Sequence, residues 1–117
     1  MENGKLKFEG EYMNGVRHGK GKEYYSDGSL RFESEYLDDK KNGKGKEYYP
    51  SGQLIYDGEY LNDERSGKGK IYNFIYFKLE YEGELLNGKK HGKGKEYDYR
   101  STGDLIFEGE FANGYRK

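Results

Sequence analysis

The sequence has no cysteine, no tryptophan and a single proline among its 117 residues. Without cysteine there is no disulfide framework and no thiolate metal centre, and a reducing compartment is the default setting. Aliphatic side chains are also scarce. Leu, Ile, Val and Phe together supply 20 of 117 residues, about 17%, too few for an ordinary aliphatic core. No run approaches the roughly 18 apolar residues of a membrane-spanning helix, and the opening MENGKLKFEG has no apolar stretch of the kind that directs secretion. A cytoplasmic location is therefore expected, at most at the cytoplasmic face of a membrane. Charge of one sign is missing too: 21 Lys and Arg nearly cancel 22 Asp and Glu, for a net charge of −1. That balance argues against a nucleic-acid binder, which needs a basic field.

What is abundant is glycine (19) and tyrosine (14), and both are arranged periodically. The segment Phe8-Glu9-Gly10-Glu11-Tyr12 recurs as Phe32-Glu33-Ser34-Glu35-Tyr36, Tyr56-Asp57-Gly58-Glu59-Tyr60, Tyr81-Glu82-Gly83-Glu84-Leu85 and Phe107-Glu108-Gly109-Glu110-Phe111, with starts 24, 24, 25 and 26 residues apart. In step with it runs Gly-Lys-Gly-Lys, at Gly19 to Lys22, Gly43 to Lys46, Gly67 to Lys70 and Gly92 to Lys95. Period-two alternation punctuated by Asn14-Gly15 and Asn87-Gly88 reads as β-hairpins. Gly28, Gly52 and Gly103, each followed by Leu at the second position beyond, mark the turns between hairpins; Gly4 and Leu6 fit the same frame. The expected fold is all-β, an elongated single-layer antiparallel β-meander of tandem hairpin repeats with about nine strands, roughly 45 Å long at ~4.8 Å per strand. Residues 1–117 form one domain, with repeats starting near 8, 32, 56 and 81 and a half-repeat at 107.

Two registers compete for each hairpin. Setting Glu9 opposite Glu23 juxtaposes like charges, whereas setting Glu9 and Glu11 beside Lys20 and Lys22 gains about 0.2 to 1 kcal/mol per cross-strand pair. The second register predicts one face laddered with Glu and Lys and an opposite face of glycine and aromatics, with rings lying on the bare glycine backbone.

These motifs resemble the MORN (membrane occupation and recognition nexus) repeat over roughly residues 4 to 117. The likeness is most complete in Phe8-Glu9-Gly10-Glu11-Tyr12, Asn14-Gly15 and His18-Gly19-Lys20-Gly21, and again in Tyr81-Glu82-Gly83-Glu84, Asn87-Gly88 and His91-Gly92-Lys93-Gly94. The Gly-x-x-x-Tyr-Tyr and Gly-x-Leu spacing is also similar to a related bacterial variant of the repeat. Departures are Tyr12, Tyr36, Tyr60, Leu85 and Phe111 in place of the usual Trp, Ser34 in place of Gly, and Asn42 and Ser66 in place of His. The resemblance implies a scaffold or docking module, with roles in organising proteins near membranes.

Enzymatic constellations are sparse. His18 and His91 occupy equivalent positions expected in a hairpin turn, the Gly-Lys-Gly-Lys segments lack the spacing and the Ser or Thr of a phosphate loop, and each Glu is expected beside a Lys. The expectation is a non-catalytic interaction scaffold without cofactor or metal. Its candidate protein-binding residues are Tyr12, Tyr36, Tyr60 and Phe111 on the aromatic face and Phe74, Tyr76 and Phe77 in the third repeat, where an apolar run replaces the glycine turn. An alternative is an anionic-lipid-binding regulatory module using basic turns at Arg17, Lys40, Lys41, Lys89 and Lys90, and another is a repeat domain detached from a larger enzyme. A homodimer through the sheet edges near Phe8 and Phe107 to Phe111 is also expected.

Overall fold

The computed structural model describes residues 7–117; Gly4 and Leu6 lie outside the described residues. One open antiparallel sheet runs in chain order through β1 (Lys7–Met13), β2 (Val16–Tyr24), β3 (Leu30–Leu37), β4 (Lys40–Tyr48), β5 (Leu54–Leu61), β6 (Glu64–Tyr72), β7 (Leu79–Leu86), β8 (Lys89–Tyr97), β9 (Leu105–Ala112) and β10 (Tyr115–Arg116). Its longest extent is 45 Å. The tenth strand is a correction to the expected nine. Residues expected as a closing turn pair Tyr115 with Ala112 and Arg116 with Phe111, which covers part of the β9 edge expected to be open.

The hairpins close with two-residue turns in which both residues have positive φ: Asn14 and Gly15, Asp38 and Asp39, Asn62 and Asp63, Asn87 and Gly88, Asn113 and Gly114. This conformation matches the twist of paired strands and favours Asn, Asp and Gly.

Register follows the charge argument on one row and departs from it on the next. Glu9, Lys22, Glu33, Lys46, Asp57, Lys70, Glu82, Lys95 and Glu108 lie opposite one another in succession across the sheet. Among the described residues this row closes to a salt bridge only at Lys70 and Glu82, 4.0 Å apart, so it is a solvated alternation of charge. The second acid of each repeat has another task. A bulge precedes Tyr12, Tyr36, Tyr60 and Leu85, and the carboxylates of Glu11, Glu35, Glu59 and Glu84 accept the backbone N–H of Lys20, Lys44, Lys68 and Lys93 at 2.8–3.3 Å. The expected side-by-side pairing of Glu11 with Lys20 is therefore replaced by a carboxylate clip on the bulge.

The core lies on the glycine face. The Tyr56 ring covers Gly58 and Gly69, and Tyr81 covers Gly83 and Gly94; both tyrosines are completely buried. Phe8 and Phe107 sit over Gly21 and Gly109 in the same way. Further rings stand edge-on against these: Tyr60 on Tyr56 at 5.3 Å, Phe111 on Tyr81 at 5.2 Å, Tyr36 on Phe8 at 5.2 Å. Such contacts add about 0.5–1.5 kcal/mol each beyond the burial of area. Ser34 is the exception: its side chain occupies the space over Gly45 that a ring fills at Gly21, Gly69 and Gly94.

A methyl group on Gly69 would meet the Tyr56 hydroxyl at 2.5 Å and its Cε1 at 2.6 Å. Gly69→Ala is expected to cost roughly 1–3 kcal/mol in urea denaturation, and a smaller residue at Tyr56 should absorb much of that loss. Gly28→Ala has open space but a φ of 93°, so its cost should be indifferent to Tyr56. Additivity of Gly69→Ala with Tyr56→Leu would contradict the packing described.

Candidate functional site

The aromatic face is closed from above by a row of cations. Arg17, Lys41, Arg65, Lys90 and Arg116 pair across the strands with Tyr12, Tyr36, Tyr60, Leu85 and Phe111, and their charged heads stand 4.0–5.3 Å from the centres of Phe8, Phe32, Tyr56, Tyr81 and Phe107. Carboxylates on the same face balance them. Arg17 approaches Glu23 at 3.4 Å, Arg65 Nε donates to Glu47 at 2.9 Å, and Glu96 accepts from Lys90 at 2.8 Å and Arg116 at 2.7 Å. The hydroxyls of Tyr36 and Tyr60 donate to Glu23 and Glu47. Between the third and fourth repeats both members of this Tyr–Glu pair change together. Ile71 replaces the Glu and Leu85 the Tyr, so neither leaves a buried polar atom alone.

Burial and these partners set the titration of the face. Burial opposes the charge on Glu96, but the bonds from Lys90 and Arg116 outweigh it and hold the carboxyl below its ordinary range. Burial pushes the Tyr56 and Tyr81 hydroxyls up to about 12, and pushes Tyr36 and Tyr60 further in the same direction with help from Glu23 and Glu47. A raised tyrosine value stabilises the fold fully below the unfolded value of 10, and that contribution disappears as pH rises from 10 towards 12. Stability followed by urea titration should therefore fall across this window, and Tyr56→Phe with Tyr81→Phe should flatten the fall. An unchanged slope would contradict it.

The expected recognition residues separate into three groups. Tyr36, Tyr60 and Phe111 are 2–4% exposed and are core rings, which corrects their reading as contact residues. Tyr12, 60% exposed, stacks edge-on against Phe8 at the first strand. Phe74, Tyr76 and Phe77 are exposed in the turn between β6 and β7. The basic candidates do not converge either. Arg17, Lys41 and Lys90 belong to the cation row, engaged with carboxylates and rings, while the alternation of the strand puts Lys40 and Lys89 on the other face. His18 and His91 lie in strands β2 and β8 rather than in the turns. Among the described residues no group of three or more His, Cys, Asp or Glu is placed to hold a metal ion. The charged face has open grooves, one of about 630 Å³ lined by Glu9, Lys20, Lys22, Glu33, Glu35 and Lys44 with Gly21 and Ser34.

The third inter-hairpin turn is built unlike the first two, and the fourth, closed by Asp98 N–H to Asp104 O, is longer still but keeps a glycine, Gly103, in the left-handed position. Turns 25–29 and 49–53 close with Tyr25 N–H to Ser29 O and Tyr49 N–H to Gln53 O, and Gly28 and Gly52 take the left-handed position. In 73–78 the closing bond runs from Asn73 N–H to Lys78 O over one more residue, and Phe77 takes that position with φ 57°. A ring there costs about 1–2 kcal/mol. Two things hold it: Phe77 N–H donates to Asn73 O at 2.8 Å, and the Phe77 ring meets Tyr49 at 5.7 Å. The Asn73 side chain, 5% exposed, braces the rest. Its oxygen accepts the N–H groups of Ile75 (2.9 Å) and Tyr76 (3.0 Å), and its nitrogen donates to Glu80 at 3.0 Å. The outcome is a braced turn that presents Phe74, Ile75 and Tyr76 to solvent, with Tyr76 beside Tyr99 at 6.0 Å. The run of apolar residues pointed to this turn from sequence; Asn73, which holds it, was not singled out, although an Asn in place of Tyr25 and Tyr49 was a visible signal.

No curated protein matches the chain in sequence. The MORN repeat pattern matches residues 8–30, 32–54, 56–72 and 81–99. The first two matches continue through the inter-hairpin turn, whereas the third stops at Tyr72 and the match resumes at Tyr81, passing over the braced turn. With consecutive matches over most of the chain, and a structure whose hairpins follow the same period, the chain belongs to the MORN repeat family.

Proposed function

We propose that the chain is a non-catalytic protein-interaction scaffold whose partner contact is the turn 73–78. The observation that carries this reading is the exposure of Phe74, Ile75, Tyr76 and Phe77 at a place where the sister turns carry Ser26-Asp27-Gly28 and Ser51-Gly52. Four large apolar side chains on a turn lower solubility and add strain, so they call for a compensating role. The brace from Asn73 supports such a role, because a turn already fixed in shape loses little conformational entropy on binding. Rings of this kind are also the residues that most often dominate protein interfaces. Departure from the repeat pattern at this turn supports the same reading, since the pattern accounts for the scaffold and leaves the turn to be explained.

The contact is tested by placing a photo-crosslinking phenylalanine at Phe74 and, in a separate chain, at Leu61, which is exposed at the hairpin-turn edge. Position 74 should yield one discrete adduct with a partner protein in extract of the source cell, and Tyr76→Ser should remove it. Equal adducts from both positions, or none from position 74, would overturn the assignment.

A further inference from the structure

The hairpin turns dock on one another along the opposite edge of the sheet, and two of the four junctions lack an element present in the others. At the first junction Asp39 N–H donates to Arg17 O at 3.0 Å, while Asp39 Oδ1 accepts both the backbone N–H of Arg17 (3.1 Å) and its Nε–H (2.7 Å). At the second, Asp63 N–H donates to Lys41 O at 2.9 Å, and Asp63 Oδ1 accepts Lys41 N–H at 2.8 Å with the Lys41 ammonium 3.6 Å away. The third and fourth junctions keep the backbone bond, from Gly88 N–H to Arg65 O (2.8 Å) and from Gly114 N–H to Lys90 O (2.9 Å). All four turn residues share the left-handed conformation, with φ between 72° and 90°. A side chain on Gly88 or Gly114 would start into open space, with nothing within 4 Å. Each of these junctions keeps the turn geometry and a basic residue at the place where Arg17 and Lys41 hold an aspartate, but supplies no carboxylate there, and the heads of Arg65 and Lys90 lie on Glu47 and Glu96 instead.

We infer that the junctions at Gly88 and Gly114 are seats for the carboxylates of an acidic segment of a partner protein. Charge favours such a segment most at the Gly114 seat, whose two turn segments hold bases and no acid, whereas the groove at Gly88 has Lys41 and Arg65 together with Glu47, Asp63 and Glu64. The turns at 38–41 and 62–65 mix acids with bases, whereas Asn87-Gly88-Lys89-Lys90 and Asn113-Gly114-Tyr115-Arg116-Lys117 contain bases and no acid. Arg65 and Lys90 turn to Glu47 and Glu96 within the chain, and those carboxylates keep second partners, Tyr60 and Arg116, when the cations turn outward. The two seats are one hairpin apart, about 9–10 Å at the spacing of strands. An extended chain covers that distance in three residues at about 3.3 Å each, so the fitting segment carries Asp or Glu at positions three apart. The seats lie at the edge opposite the turn 73–78; the inference shares the reading of the chain as a binding module but not its contact, and either can fail alone.

The test uses the full chain labelled with nitrogen-15 and the blocked hexapeptide Gly-Asp-Gly-Gly-Asp-Gly as probe, at low salt. The backbone amide signals of Arg65 and Lys90 should move together and saturate, and the peptide with Asn in place of Asp should leave them unmoved. Gly88→Asp should move the Arg65 signal without peptide and weaken binding at least tenfold, while Gly15→Asp, at the first turn, should weaken it by less than twofold. Gly114→Asp gives the same reading at Lys90 if Gly88→Asp fails to fold. Unmoved Arg65 and Lys90 signals, undiminished binding with a filled seat, or movement caused by phosphatidylserine vesicles and not by the peptide would each overturn the inference.

Discussion

The absence of a side chain at paired glycines is the constraint on which the rest of the structure depends. A single sheet has no second layer to bury its apolar face, and this chain has too few aliphatic residues to form one. Its solution is to make the backbone itself the floor. Where Gly58 faces Gly69 and Gly83 faces Gly94, a tyrosine ring descends onto the main chain, the next ring stands on it edge-on, and a cation closes the top. Fully burying a ring contributes about 1.5–3 kcal/mol, and the repeat multiplies that contribution along the array. Each stack draws on the adjacent hairpin for part of its wall, so no hairpin is complete alone.

Polar groups follow from the same arrangement. A tyrosine brought onto this face carries its hydroxyl with it, and that hydroxyl needs an acceptor. Glu23 and Glu47 supply it, the cation row then neutralises the glutamates, and the paired change to Ile71 and Leu85 shows the requirement being removed at both ends at once. On the outer face the hydroxyls of Tyr24 and Tyr97 donate to Glu9 and Glu82, and the Lys and Glu of the row alternate in register but stay mostly apart in water.

Much of this was legible in the sequence because the repeat displays each element several times. Period, hairpin turns, the Glu9 and Lys22 register and the glycine face all follow from residue pattern and charge. Other features were not. Strict alternation fails wherever a strand takes up an extra residue, so the role of Glu11, Glu35, Glu59 and Glu84 at the bulges was hidden. Tyr36, Tyr60 and Phe111 read as an open surface because a flat sheet exposes both faces, whereas ring-on-ring contacts between hairpins close one of them. The same stacking between hairpins brings Asp39 to Arg17 and Asp63 to Lys41 across 22 residues, a separation that no local pattern reports.

The placement of rings over glycine is most directly tested by proton NMR of the folded chain. A proton lying under an aromatic face is shielded by the ring current, so the α-protons of Gly69 and Gly94, beneath Tyr56 and Tyr81, should appear far upfield, while those of Gly28 and Gly103, with open space above them, should appear at ordinary positions. Ordinary shifts at Gly69 and Gly94 in the folded protein would contradict the account.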